Sequence, residues 1–189
     1  MEEPKIDRKK LRVRHPWHAV DYGAKAPEIV NCITEIPKRS KAKYELDKDS
    51  GMLKLDRVLF SSIHYPANYG FIPQTYCEDD DPLDILVLSS VDVVPMCLLE
   101  AKVIGAMQMI DDNEQDDKII AVANNDVSVN FMDDLSNLPQ HTMDEMQRFF
   151  EDYKKLENKE VTVERFIDKK ESCRIINESI ELYKEKFVP

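Results

Sequence analysis

Apolar residues fall in short runs through most of this chain and shift to helical intervals toward its end. Ile29–Ile36 reads as a strand. Ala42–Leu46 and Met52–Leu59 flank Asp47-Lys48-Asp49-Ser50-Gly51, a polar, glycine-ended stretch with the chemistry of a hairpin turn. Asp84–Leu88, Cys97–Ile110, Lys118–Ala123 and Val161–Phe166, rich in β-branched or aliphatic residues, supply further strands. After Pro139 the period changes. Met146, Phe149, Phe150 and Tyr153 recur at helical spacing, and Thr142-x-x-Glu145 predicts a capping box. A second helix is predicted from about Ser172 to Phe187, with Ile176, Ile180, Tyr183 and Phe187 on one stripe. Strands in series followed by helices predict an α+β domain, a small barrel with helices on its flank. Residues 1–28 are set apart as an N-terminal arm containing Pro4, Pro16 and Pro27, with Trp17 as its anchor; residues 29–189 form a single domain.

A length of 189 residues suits that one domain, which buries roughly 70% of its unfolded surface on folding. With 42% apolar residues there is material for a core, so a wholly disordered acidic chain is excluded. The four cysteines are widely spaced and form no Cys-x-x-Cys pair, which argues against zinc and for reduced thiols. Met1-Glu2-Glu3-Pro4 and the basic stretch Arg8–Arg14 lead into no apolar segment, so no secretory signal is expected. The expected location is the cytoplasm, with an organelle left open if a transit segment has been removed. The most apolar run, Ile85–Leu99, is interrupted by Asp92 and Pro95 and falls short of the ~20 residues a membrane span needs. No membrane partner is expected.

The formal charge is −11, which speaks against nucleic acid as a partner. Its distribution is more informative. Glu78–Asp84 and Asp111–Asp117 each hold five acidic residues and no Lys or Arg; elsewhere 27 acidic residues face 26 basic ones. The acidity is two local features on a nearly neutral body.

Both features abut apolar strands. Asp79-Asp80-Asp81-Pro82-Leu83-Asp84 runs into Ile85-Leu86-Val87-Leu88, which puts Asp84 at the first residue of a strand. Asp111 and Asp112 follow one strand, and Asp116-Asp117-Lys118 leads into another. Brought together, such loops repel unless cations sit between them. All-oxygen ligands favour Mg²⁺, Mn²⁺ or Ca²⁺ over Zn²⁺. An EF-hand fails, because counting from Asp79 puts Asp84 where that loop needs glycine. Charge runs are commonly solvated turns, and that reading stands beside the metal one.

Lys43 and Glu45, two apart, share one face of the hairpin, and Arg57 lies on the returning strand. Tyr65 and Tyr69 bracket what reads as a turn. Each has a plain explanation, a packed tyrosine or an exposed lysine. Together, cations and hydroxyls to hold phosphate oxygens, beside carboxylates to hold metals, are what metal-assisted phosphoryl transfer requires.

At these residues the chain resembles the family I soluble inorganic pyrophosphatases. Asp79-Asp80-Asp81-Pro82-Leu83-Asp84-Ile85 fits their Asp-x-Asp-Pro-apolar-Asp-apolar pattern. Glu35-Ile36-Pro37, Lys43-Tyr44-Glu45-Leu46-Asp47, Asp56-Arg57, Tyr65-Pro66-x-Asn68-Tyr69-Gly70, Asp111-x-x-x-x-Asp116-x-Lys118 and Phe149-Phe150-Glu151-x-Tyr153-Lys154 match in order. The resemblance implies a five-stranded OB-type barrel with flanking helices, and hydrolysis of inorganic pyrophosphate to two orthophosphates. It implies metal ligands at Asp79, Asp84, Asp111 and Asp116, with Glu45 and Glu35 assisting, for several Mg²⁺ ions or Mn²⁺ in their place. It implies phosphate contacts from Lys43, Arg57, Tyr69, Lys118, Tyr153 and Lys154, Asp81 as general base, and Tyr65 as a supporting hydroxyl.

Two departures stand out. Position 112 is Asp where many bacterial members carry Glu. Positions 148 and 152, where bacterial hexamers often carry histidine, are Arg and Asp, which counts against a bacterial-style hexamer but leaves a homo-oligomer open. Two other functions remain in play: a divalent-cation-binding module without chemistry, and a phosphohydrolase acting on organic phosphates. Phosphate release from pyrophosphate, against nucleotides, separates all three.

Overall fold

A computed structural model describes residues 15–112 and 114–188; the basic stretch Arg8–Arg14 and Pro4 of the expected arm lie outside them. Buried strands build the centre. The strands are β1 (Ile29–Ile36), β2 (Ala42–Leu46), β3 (Leu53–Val58), β4 (Asn68–Phe71), β5 (Asp84–Leu88), β6 (Leu98–Asp111), β7 (Glu114–Gln115), β8 (Lys118–Ala123) and β9 (Val161–Ile167). The helices are the single turn α1 (Pro16–Ala19), α2 (Gln140–Asp152) and α3 (Lys169–Phe187).

Strand pairing runs β1-β4-β5-β8-β6, and β6 returns to β1, which closes a ring of five strands. All neighbours are antiparallel except β5 and β8. With helices on its flank, this is the α+β fold of OB type that the motifs imply. Closure leaves none of the five with a bare edge, and apolar residues fill both sides of its strands. Ile85, Leu86, Val87 and Ile119–Val122 are fully buried, each worth roughly 1.5–3 kcal/mol over exposure where the side chain is a large aliphatic. Between β4 and β1 the approach is closer than any side chain permits. A Cβ on Gly70 would lie 2.0 Å from the Ile33 carbonyl oxygen.

β4 differs from expectation: Tyr65–Phe71 read as a turn, yet Asn68–Phe71 pairs with both β1 and β5. All four of its residues are buried, so neither face carries the polar alternation that marks a half-solvated strand. The predicted capping box is also absent. Pro139 is the N-cap of α2 and makes no side-chain cap bond, so Thr142 already lies inside the helix. α3 starts earlier than Ser172, at Lys169, because the Asp168 carboxylate caps it by accepting from the Glu171 N–H at 2.9 Å.

The hairpin of β2 and β3 stands apart as a two-stranded sheet, while β9 extends β6 outside the ring. Trp17 anchors the described part of the arm as expected. It is 3% exposed, its Nε1 donates to the Thr75 carbonyl at 2.8 Å, and its ring meets Phe187 of α3 at 5.4 Å. No helix among the described residues is long and apolar enough to cross a membrane.

Candidate active site

The parallel pairing of β5 and β8 brings the two acidic segments together. Asp84 and Lys118, the first residues of these strands, are register partners, and β6 ends at Asp111 beside them. The Asp116 N–H donates to the Met109 carbonyl at 2.9 Å, which folds the second acidic segment back over β6. The first is fixed by Ile72 and Thr75: the Ile72 N–H donates to the Leu83 carbonyl at 2.9 Å, and the Thr75 hydroxyl accepts from the Leu83 N–H at 2.9 Å.

The result is a cleft of about 540 Å³. Its lining includes Glu35, Glu45, Asp79, Asp81, Asp84, Asp111 and Asp116, with Lys43, Lys118, Lys154, Tyr69 and Tyr153. β1 contributes Glu35, the hairpin Lys43 and Glu45, and β4 Tyr69. Tyr153 and Lys154 follow directly after α2, where the Tyr153 N–H still bonds the Phe149 carbonyl at 2.9 Å. Residues far apart in sequence thus line one cleft.

Within the cleft the charges interleave. The Lys118 ammonium bonds both Asp84 and Asp116, and the Tyr69 hydroxyl donates to Asp84 Oδ2 at 2.5 Å. Asp111 Oδ2 accepts from Lys154 and, at 3.1 Å, from the Tyr153 hydroxyl. Lys43 pairs with Glu45, and with Asp56 at 3.6 Å.

Carboxylates outnumber these cations, and proton affinities register the excess. Burial, then the nearby Asp84 charge, pushes Glu35 up to about 8, although its Oε1 accepts from the Leu46 N–H at 2.6 Å. Burial and the charges of Asp84 and Asp116 raise Asp79 to about 6. Asp84 is itself raised by burial and by Asp116. Burial works against the Lys118 charge, yet Asp116 and Asp84 hold its ammonium pKa above the ordinary value. Burial and Asp84 likewise raise the Tyr69 phenol.

The donor set fits a hard divalent cation. Asp111 Oδ1 is buried with no hydrogen-bond partner among the described residues, an acceptor left open toward an ion. Among the described residues no three His, Cys, Asp or Glu side chains converge into an all-protein cage. That suits ions held by one or two carboxylates, water and phosphate oxygens, as small hard cations prefer.

Tyr65 and Arg57 are outside the lining. Tyr65 is 2% exposed and packs behind the cleft, its ring 5.6 Å from Tyr69 and 4.7 Å from Phe149. Arg57 spends Nε on Glu157 at 2.9 Å and Nη1 on Asp56 at 2.5 Å. Its Nη2 is buried with no partner among the described residues, a spare donor. Conversely, Trp17, Tyr44, Asp47, Lys48, Asp49 and Lys54 line the cleft although the sequence did not single them out as site residues. Most belong to the hairpin around the Asp47–Gly51 turn, whose proximity to the acidic loop only the tertiary fold reveals.

The chain as a whole is similar to known proteins. The family model described as inorganic pyrophosphatase matches residues 32–184. The chain belongs to the inorganic pyrophosphatase family. It is 53% identical over 175 residues to soluble inorganic pyrophosphatase 2 of Chlamydomonas reinhardtii, covering 93% of this chain and 91% of that one. It is 53% identical to soluble inorganic pyrophosphatase 4 of Arabidopsis thaliana, covering 92% of this chain and 81% of that one. The crystal structure of the inorganic pyrophosphatase from Thermus thermophilus superposes with a TM-score of 0.87 at 39% identity, over 90% of this chain and 99% of that one. As a member of this family the protein is a hydrolase that splits inorganic pyrophosphate into two orthophosphates. The family is metal-dependent.

Proposed function

We propose that the protein hydrolyses pyrophosphate with Mg²⁺ as its metal, Mn²⁺ substituting, and with Asp81 as general base. The observation that supports this reading is the buried Oδ1 of Asp111, without a hydrogen-bond partner among the described residues, within a cleft that holds more carboxylates than ammonium groups. Pyrophosphate is itself a polyanion, so an acidic cleft receives it only with cations interposed. Asp79, Asp84, Asp111 and Asp116 are the ligands in this reading, with Glu45 and Glu35 assisting. When bound, the ions neutralise phosphate charge and acidify a coordinated water.

The chain's own residues supply the rest. Asp81, half-exposed at the cleft wall, accepts a proton from the attacking water as its oxygen bonds one phosphorus and the bridging P–O bond breaks. Lys43, Lys118, Lys154, Tyr69 and Tyr153 hold phosphate oxygens, and Arg57 reaches them with its spare Nη2. Ions bound by Asp84, Asp111 and Asp116 would satisfy carboxylates that now pair with Lys118 and Lys154, which would leave those ammonium groups to hold phosphate oxygens. Placement and electrostatics of this kind supply most of the catalysis in phosphoryl transfer. Tyr65 supports Tyr69 from behind through its ring contact.

Residues 1–28 act as an arm on a catalytic domain of residues 29–189, and the enzyme works in the cytoplasm. Arg148 and Asp152 stand on α2 where bacterial hexamers often carry histidine, which counts against a bacterial-style hexamer and leaves another homo-oligomer open. The test is direct. Protein stripped with chelator, then given Mg²⁺ and pyrophosphate, should release phosphate, and nucleoside triphosphates with Mg²⁺ should be poor substrates. Equal release from nucleotides would move the reading to organic phosphates.

A further inference from the structure

Asp81 is exposed enough to turn freely. Its side chain is 50% accessible, and a general base works only within hydrogen-bond reach of the proton it removes. Something must select its rotamer, and one cation does. The Lys48 ammonium pairs with Asp81 Oδ1 and also donates to the Asp80 carbonyl at 3.0 Å.

Lys48 is itself held from the far side. Its carbonyl bonds His15 Nε2 at 2.8 Å, and its Nζ lies 6.0 Å from the Trp17 ring centroid. The hairpin turn presses on the same segment: a Cβ on Gly51 would meet His15 and Pro16 side chains at 3.2 and 3.3 Å. On the opposite side Lys186 of α3 reaches the Asp80 carboxylate at 3.0 Å, with its Nζ 4.2 Å from the Tyr76 ring centroid. The loop carrying Asp79 and Asp81 is thus braced by two lysines from separate elements, one of them seated on the arm.

We infer that Lys48 is a positioning residue for the reaction: anchored by His15 and Trp17, it fixes the Asp81 carboxylate toward the cleft. The inference rests on Asp81 acting as the base. A half-exposed ion pair adds little to global stability, so this one leaves its trace in the rate. Lost rotamer selection at Asp81 lowers kcat and leaves substrate binding alone.

The experiment is a double-mutant cycle on the full chain. Asp81→Asn is measured first; a full rate there removes the base role, and this inference with it, before Lys48 is touched. Given a slow Asp81→Asn, Lys48→Met should lower kcat about three- to fivefold, the size an exposed pair can impose, with KM unchanged. Lys48→Arg should restore most of the rate, and Lys48→Met added to Asp81→Asn should cost nothing further. Hydrogen exchange on metal-free protein gives a reading independent of turnover, since amides of residues 77–83 should exchange faster in Lys48→Met. A penalty that persists on Asp81→Asn, or appears in KM, would show that Lys48 acts directly on substrate and overturn the inference. So would an unchanged kcat, no recovery with arginine, or unaltered exchange.

Discussion

Replacing Glu35 by glutamine keeps the side chain's size and removes a carboxyl that the fold resists ionising. Glu35 is 7% exposed, and burial beside Asp84 raises it from 4.5 to about 8. The folded state therefore holds this proton more tightly than the unfolded chain does. Its contribution to stability is full below pH 4.5 and is lost as pH rises toward 8. Each pH unit across that window costs ~1.4 kcal/mol, so by pH 7 the metal-free protein has given up about 3 kcal/mol through this one group. For a chain of this size that is a fall of about 6–12 °C in melting temperature. The assay is thermal unfolding of chelated protein, parent against Glu35→Gln, from pH 4.5 to pH 8. Glutamine does not titrate, so the variant should overtake the parent by that margin at neutral pH. Added Mg²⁺ should shrink the difference by favouring the carboxylate. A parent–variant gap independent of pH would refute the reasoning, because a group with the same proton affinity folded and unfolded contributes no slope.

Arg57→Ala should raise KM for pyrophosphate about tenfold or more while metal binding by the substrate-free protein, followed by calorimetry, stays within twofold; loss of one charge-assisted donor is of that size. Gly70→Ala should cost more than about 3 kcal/mol in denaturant unfolding, because its Cβ would collide with the Ile33 carbonyl and part β4 from β1.

How far the sequence revealed this depended on what each residue must do locally. Strands with β-branched runs, such as Lys118–Ala123, were legible to the residue. β4 was not: four buried residues, one a glycine chosen for close approach, carry no period to detect. The start of α2 after Pro139 was legible, but Thr142-x-x-Glu145 only imitates a capping box: Pro139 is the N-cap and Thr142 already lies inside the helix. In the site, the two acidic segments announced themselves by density, and strand ends were rightly read as their platform. Arg57 and Tyr65 matched the family motifs but fall outside the cleft's lining, a distinction that spacing does not encode. Lys48 read only as turn chemistry. Its approach to Asp81 depends on where the arm and hairpin pack, through contacts such as His15 to Lys48, 33 positions apart.

The central claim is that Asp81 takes the proton from water in a metal-loaded acidic cleft. The most direct measurement is phosphate release from pyrophosphate by Asp81→Asn at saturating Mg²⁺, with Mg²⁺ binding measured in parallel. The expected result is normal folding and metal affinity with turnover lowered about 10²- to 10⁴-fold, the usual contribution of a positioned base. A turnover near that of the parent, with metal bound, would contradict it.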